Sequence, residues 1–190
     1  MEESDWSSDV CSSDLGSGLF SAGATGSNVL SGVTLNGTVD MSQIGSSRER
    51  IQGGLTMTGG TFNIANGGIL SIEAGDQTLG GTGVFNLNDP GARFALEGNS
   101  TTTIGPNVVI RGQGNLGQAA ISGGTHNLAN TGRISADVAG GTLNIVPGAG
   151  SGTVTNNGVL EAINGGTLLL SAHVSGGPGG QIAAGAGSAV

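Results

Sequence analysis

The stretch GGTFNIANGGILSI, which begins at Gly59, returns at Gly123 as GGTHNLANTGRISA with eight of its fourteen positions unchanged. A phrase repeated this closely in a chain of 190 residues points to stacked units that each solve the same local problem. Gly-Gly-Thr recurs with its threonine at Thr61, Thr82, Thr125, Thr142 and Thr167, at spacings of 21, 43, 17 and 25 residues. Counting the 43-residue gap as two periods, with NSTTTIGPNVVI from Asn99 as the missing copy, gives a repeat of roughly 21 residues. A second repeated element reads NGGILSI at Asn66, NTGRISA at Asn130 and NNGVLEA at Asn156.

Within each period the apolar positions alternate, as in Phe62 and Ile64, Phe85 and Leu87, Leu143 and Ile145, Leu168 and Leu170. Alternation marks half-buried strands, and no window shows helical spacing. The strands are separated by NGG, DPG, GNS, GPN and PGAG, which is turn chemistry. Forty glycines carry a heavy entropic cost, so the fold must have a geometric need for them. Short strands, frequent turns and a short period predict an all-β fold, a parallel β-helix (β-solenoid) of about 7–8 coils of roughly 21 residues. Each coil would rise about 4.8 Å, inward Ile, Leu, Val and Phe would form columns, and corner asparagines would stack in ladders. A β-sandwich is the rival reading, since it also uses regular short strands.

Charge is unevenly placed. Residues 1–15 hold five of the thirteen acids, with Trp6 and Cys11, and the remainder is nearly neutral with five arginines and no lysine. MEESDWSSDVCSSDL resembles translated sequencing-adapter read-through, the other reading being a native acidic tail. The division expected is a non-native or disordered tail over 1–15, an irregular start of the solenoid over 16–52, and β-helix repeats over 53–190. No basic stripe offers itself to nucleic acid, and no apolar run reaches the ~18 residues of a membrane span.

Candidate chemistry is sparse. Of the acids after residue 15 only Glu73 and Asp76 are close neighbours, flanking the turn EAGDQ as a solvated pair. One period apart, Glu73 would stack near residues 94–97 and Asp137 near Glu161, a weak basis for the paired carboxylates of a glycosidase. His126 takes a slot that sister phrases fill with Phe62, Leu143 or Leu168 and is expected to face the core or a coil edge, whereas His173 is expected at the surface. GGTGVFN at Gly80 and GGPGGQI at Gly176 lack the aspartate of a calcium-binding repeat, and GQGNLG at Gly112 has no helix after it to cradle a phosphate. Thr101 and Thr103 are read as the one Thr-x-Thr pair on an outer face, and RER at Arg48 as a solvated loop. No catalytic, cofactor-binding or metal-ligating residue is assigned.

The run from Gly53 to Ile182 resembles the passenger regions of autotransporters and filamentous-haemagglutinin-like adhesins. The residues that carry the resemblance are GDQTLGGTGVFNLNDPGARFALEGN, TTTIGPNVVIRGQGNLGQ and VTNNGVLEAINGGTLLL. It implies a right-handed β-helix, export across the outer membrane, and adhesion or aggregation at an extracellular or cell-surface location. The family's export signal and membrane barrel are not in this sequence, which is expected of an internal fragment. The function expected is therefore a non-catalytic rod in a large adhesin-like protein, without a cofactor. Its partners would be glycans or a host or neighbouring cell surface, with self-association through the rod's ends, no nucleic acid and no membrane insertion. The alternative is part of a carbohydrate-active β-helix enzyme, a polysaccharide lyase or glycosidase, whose catalytic coils lie outside this stretch.

Overall fold

In the computed structural model, the residues described are 10–11, 19–24 and 28–190. The reading of residues 1–15 as a foreign tail falls outside them, apart from the backbones of Val10 and Cys11, which pair in parallel with Leu30 and Ser31. Every strand belongs to one parallel sheet wound on itself, a β-solenoid of about six turns. Each turn has three sides. The chain runs along face A (for example Ile69–Ile72), then face B (Ser100–Ile104), then face C (Arg133–Ala136), and returns to face A one rung further on.

The inward positions form the expected columns. On face C, Val39, Phe62, Phe85, Ile110, Ile134 and Leu160 lie rung above rung, and all six are shielded from solvent. Phe62 and Phe85 stack with ring centroids 5.0 Å apart. Phe94, reaching in from face A, meets Phe85 edge-on at 5.2 Å. These three rings fill the middle of the rod, where both packing geometries are favourable.

The turn is longer than the phrase spacing suggested. Six turns separate Val39 from Ile182, so a turn averages about 24 residues, not 21. The reason is that the repeated phrase encodes a strand, a corner and a strand, not a whole turn. Its first copy spans the corner from face C to face A, since Thr61–Ile64 pairs with Thr38–Met41 and Ile69–Ile72 continues along face A. Its second copy spans the corner from face B to face C, with His126–Asn130 followed by Arg133–Ala136. The copies are two turns and two sides apart. Gly-Gly-Thr likewise opens face C at Thr61 and face A at Thr142 and Thr167.

The three corners obey different rules. Between faces B and C the connection is two residues in four of the turns, at 36–37, 105–106, 131–132 and 157–158. Between faces A and B it swells from a single glycine, Gly32, to nine residues at 117–125. In two of these turns the B–C corner is held by asparagine. Asn130 and Asn156 are buried, and each Oδ1 accepts the N–H two residues on, from Gly132 and Gly158. Asn130 Nδ2 donates to Asn156 Oδ1 at 2.8 Å, forming the predicted ladder. Rungs approach so closely here that an added Cβ on Gly132 would collide with the carbonyl oxygens of Val108 and Gly105.

RER is corrected by the structure. Arg48–Ile51 is a face A strand, paired with Ile69–Ile72, and Glu49 points into the core. Its alternating charges hid the period-2 pattern, because an inward glutamate reads as a surface residue.

Gly132→Ala is expected to lower the unfolding free energy by about 3 kcal/mol, the upper part of the range for overpacking. Gly45, where an added Cβ would meet nothing within 4 Å, should tolerate alanine within about 0.5 kcal/mol. Urea unfolding followed by circular dichroism compares the two; equal midpoints would contradict the close-approach argument.

Candidate functional site

Charge is segregated by face. The face B segments, residues 33–35, 55–58, 77–82, 100–104, 126–130, 153–156 and 173–176, contain no Asp, Glu, Lys or Arg. The ion pairs lie on faces A and C. Arg50 holds Glu73 through Nε–Oε1 and Nη2–Oε2 contacts, both 2.8 Å. Arg111 pairs with Asp137, and Arg133 reaches Glu161 at 2.6 Å. In place of stacked carboxylates, Glu73, Asp137 and Glu161 each take an arginine from the preceding turn. Such exposed pairs contribute about 0–1 kcal/mol each.

Outward from face B stand hydroxyls and amides in register. Thr78, Thr103, Ala129, Thr155 and Ser175 form one column. Thr101, Asn127, Thr153 and His173 form the column beside it, with His173 exposed. Neighbouring rungs are about 4.8 Å apart and alternate residues along a strand about 7 Å apart, so the groups define a regular polar grid. Asn127 Oδ1 accepts from the Thr153 N–H at 3.0 Å and the Thr153 hydroxyl at 2.9 Å, fixing their orientation. Thr101–Thr103 is not the only Thr-x-Thr pair: Thr56–Thr58 and Thr153–Thr155 lie on the same face. Both sit outside the Gly-Gly-Thr phrase, and only the register places them together.

The grid borders a recess of about 370 Å³ at the corner between faces A and B, lined in part by Gly32, Gly53, Gly54, Thr56, Asp76 and Thr78. The recess exists because consecutive corners differ in length. Gly32 and Gly53–Gly54 turn sharply, whereas residues 73–76 project on the next rung. Gly54 has φ +87°, and an added Cβ would lie 3.1 Å from the Thr78 carbonyl, so glycine keeps this floor open. Gln77 braces it from beneath, accepting the Gly54 N–H at 3.0 Å while its Nε2 donates to the Glu73 carbonyl at 2.6 Å. Asp76 is exposed at the rim and accepts the Thr101 N–H at 2.8 Å. Glu73 and Asp76 are thus neighbours with different tasks.

A second polar cluster is buried. Glu97, 1% exposed, accepts the consecutive N–H groups of Ala120, Ile121 and Ser122, which pins loop 117–125 against the rod. His126 is also 1% exposed and faces the core, as expected, but on face B, beneath the outer grid. Its Nδ1 lies 2.9 Å from the Glu97 carbonyl and 3.2 Å from Ser100 Oγ, and its Nε2 lies 3.1 Å from Thr102 Oγ1. The network is satisfied when Nδ1–H donates to Glu97 and Nε2 accepts from Thr102. Burial lowers the imidazole pKa, opposed by the carbonyls of Glu97 and Gly98, so the ring is neutral at physiological pH. Serine, histidine and glutamate meet here without forming a relay, because the Glu97 carboxylate is committed to amides and the imidazole faces its carbonyl. Among the described residues no three of His, Cys, Asp and Glu are grouped to hold a metal ion.

Glu97→Ala is expected to cost about 3 kcal/mol, since three part-buried N–H groups lose a charged acceptor that is itself buried. Amide exchange at Ala120, Ile121 and Ser122 should accelerate while residues 153–162 keep their protection. Unchanged exchange at those three amides would contradict the pinning. Comparison with known proteins finds no matching family model, no matching curated protein and no matching solved structure.

Proposed function

We propose that this chain is a structural and interaction segment of a large secreted or surface-displayed bacterial adhesin-like protein, of the autotransporter-passenger kind, and carries no chemistry of its own. Its work is done by a stiff rod that displays face B. The observation that carries this reading is the uncharged, in-register hydroxyl and amide grid on face B, with arginine–acid pairs restricted to the other two faces. A surface of that kind suits a neutral, polyhydroxylated partner such as a cell-surface glycan, whose hydroxyls exchange hydrogen bonds with threonine and asparagine. A nucleic acid would want a basic stripe. The recess beside Thr56 and Thr78 gives the grid a bounded end.

On its own, this segment is set up for self-association. The last strands, Thr167–Leu170, His173–Gly176 and Gln181–Ala184, each pair along their length with one neighbour, and Ile182 is 52% exposed. Unpaired parallel edges over an apolar cross-section are templates for another strand.

Retention of the full chain on immobilised neutral polysaccharides tests the glycan reading. Replacing Thr101, Thr103, Thr153 and Thr155 together by valine should weaken retention at least about tenfold, with little dependence on salt. Equal retention of wild type and variant, or none by the wild type, would contradict it. Release of reducing ends or unsaturated products from pectin or alginate would favour the enzyme alternative instead. In sedimentation velocity the chain should form concentration-dependent oligomers; a monomer across the range would overturn self-association.

A further inference from the structure

Glu49 breaks the rule by which this rod is built. Along residues 48–51 of face A, the side chains of Arg48 and Arg50 are half-buried while Glu49 and Ile51 are buried. Register aligns Glu49 with Leu70, and then with Phe94, Leu116, Ile145 and Leu170 on later turns. A carboxyl therefore fills a slot that each following turn fills with hydrocarbon. It is 1% exposed, and neither oxygen has a hydrogen-bond partner.

No charged side chain among the described residues pairs with a negative charge there. The flanking turns, Val29–Leu35 and Ile69–Ile72, contain no titratable side chain. From Thr38–Met41 comes only Asp40, whose carboxylate is taken by the Ser42 N–H and hydroxyl and by Gln43 Nε2. Arg50 is engaged by Glu73. Arg48 neighbours Glu49 in the strand, but its side chain lies on the opposite, half-buried face. A buried carboxyl in such a site keeps its proton. Burial pushes its pKa up to about 8, against a smaller downward pull from the Arg50 backbone N–H.

We propose that Glu49 is a proton-dependent latch on the turns of the rod that precede Ile69. Protonated, it lets residues 48–52 close over the core. Deprotonated, it drives them outward and opens the turns before Ile69, while later turns stay folded. A solenoid permits this because each turn contacts only its neighbours, so these turns can open while later ones stay folded. Opening also bares the edge of Ile69–Ile72, a strand ready to pair with another chain.

The sign follows from where the proton is held. Closed turns keep the Glu49 proton up to about pH 8, whereas open turns release it near the ordinary value of 4.5. The closed state is therefore fully favoured below that lower value and loses its advantage as pH rises through the window. The opening constant should climb about tenfold per pH unit and then level off.

Hydrogen exchange of the full chain from pH 5 to 9, corrected for intrinsic exchange rates, tests the latch in wild type, Glu49→Gln and Glu49→Leu. Glutamine keeps the shape without the titration, and leucine restores the hydrocarbon of the later turns. The result expected is that wild-type protection over residues 28–64 falls about tenfold per pH unit more steeply than in either variant, with residues 100–162 unchanged. Parallel pH profiles in wild type and variants, or simultaneous loss of protection along the entire wild-type rod, would overturn the proposal.

Discussion

The backbone hydrogen-bond ladder between successive turns is the constraint to which everything else conforms. Because strands pair in parallel at a spacing of about 4.8 Å, each residue is fixed by the residue one turn before it. An inward slot stays inward along the rod, so Val39, Phe62, Phe85, Ile110, Ile134 and Leu160 have no choice but to be apolar. The same ladder explains the glycines at the corner between faces B and C. There the rungs meet with so little room that Gly132 would drive a side chain into the carbonyls of the rung before it.

The ladder also decides where variation is tolerated. The corner between faces B and C is two residues in four of the turns, and at 131–132 and 157–158 the bond between Asn130 and Asn156 requires equal lengths. The opposite demand applies between faces A and B, where a one-residue corner can precede a two-residue one and then a four-residue one. Unequal corners leave a recess in one place and a pinned loop in another. Whatever distinguishes one segment of such a rod from another is written mainly on that edge, while the flat faces repeat.

Much of this was legible in the chain itself. Alternation at Phe62–Ile64 and Leu143–Ile145 identified strands, and asparagine beside glycine identified the corners. The three-sided turn was not legible, because a strand–corner–strand phrase looks the same whichever corner it builds. Glu49 was hidden for a related reason: sequence patterns infer burial from chemical type, and here position overrides type. The face B grid was only partly visible, since Thr153 and Thr155 acquire meaning from Thr103, which lies on the same face two turns earlier. His126 shows the converse. Its place in an apolar slot was readable, but its partners Ser100, Thr102 and the Glu97 carbonyl are about one turn away in sequence and could be found only from register.

The three surface ion pairs among the described residues share one orientation. Arg50, Arg111 and Arg133 each sit one turn before the acid they bind, so in every pair positive charge lies nearer the start of the chain and negative charge nearer its end. Their displacements add along the axis and give the rod an electrical direction. Two such rods lying side by side reduce their field energy by pointing opposite ways, whereas rods meeting tip to tip do so by pointing the same way. Modest surface pairs that contribute little to folding can in this manner bias how many rods arrange themselves in a layer.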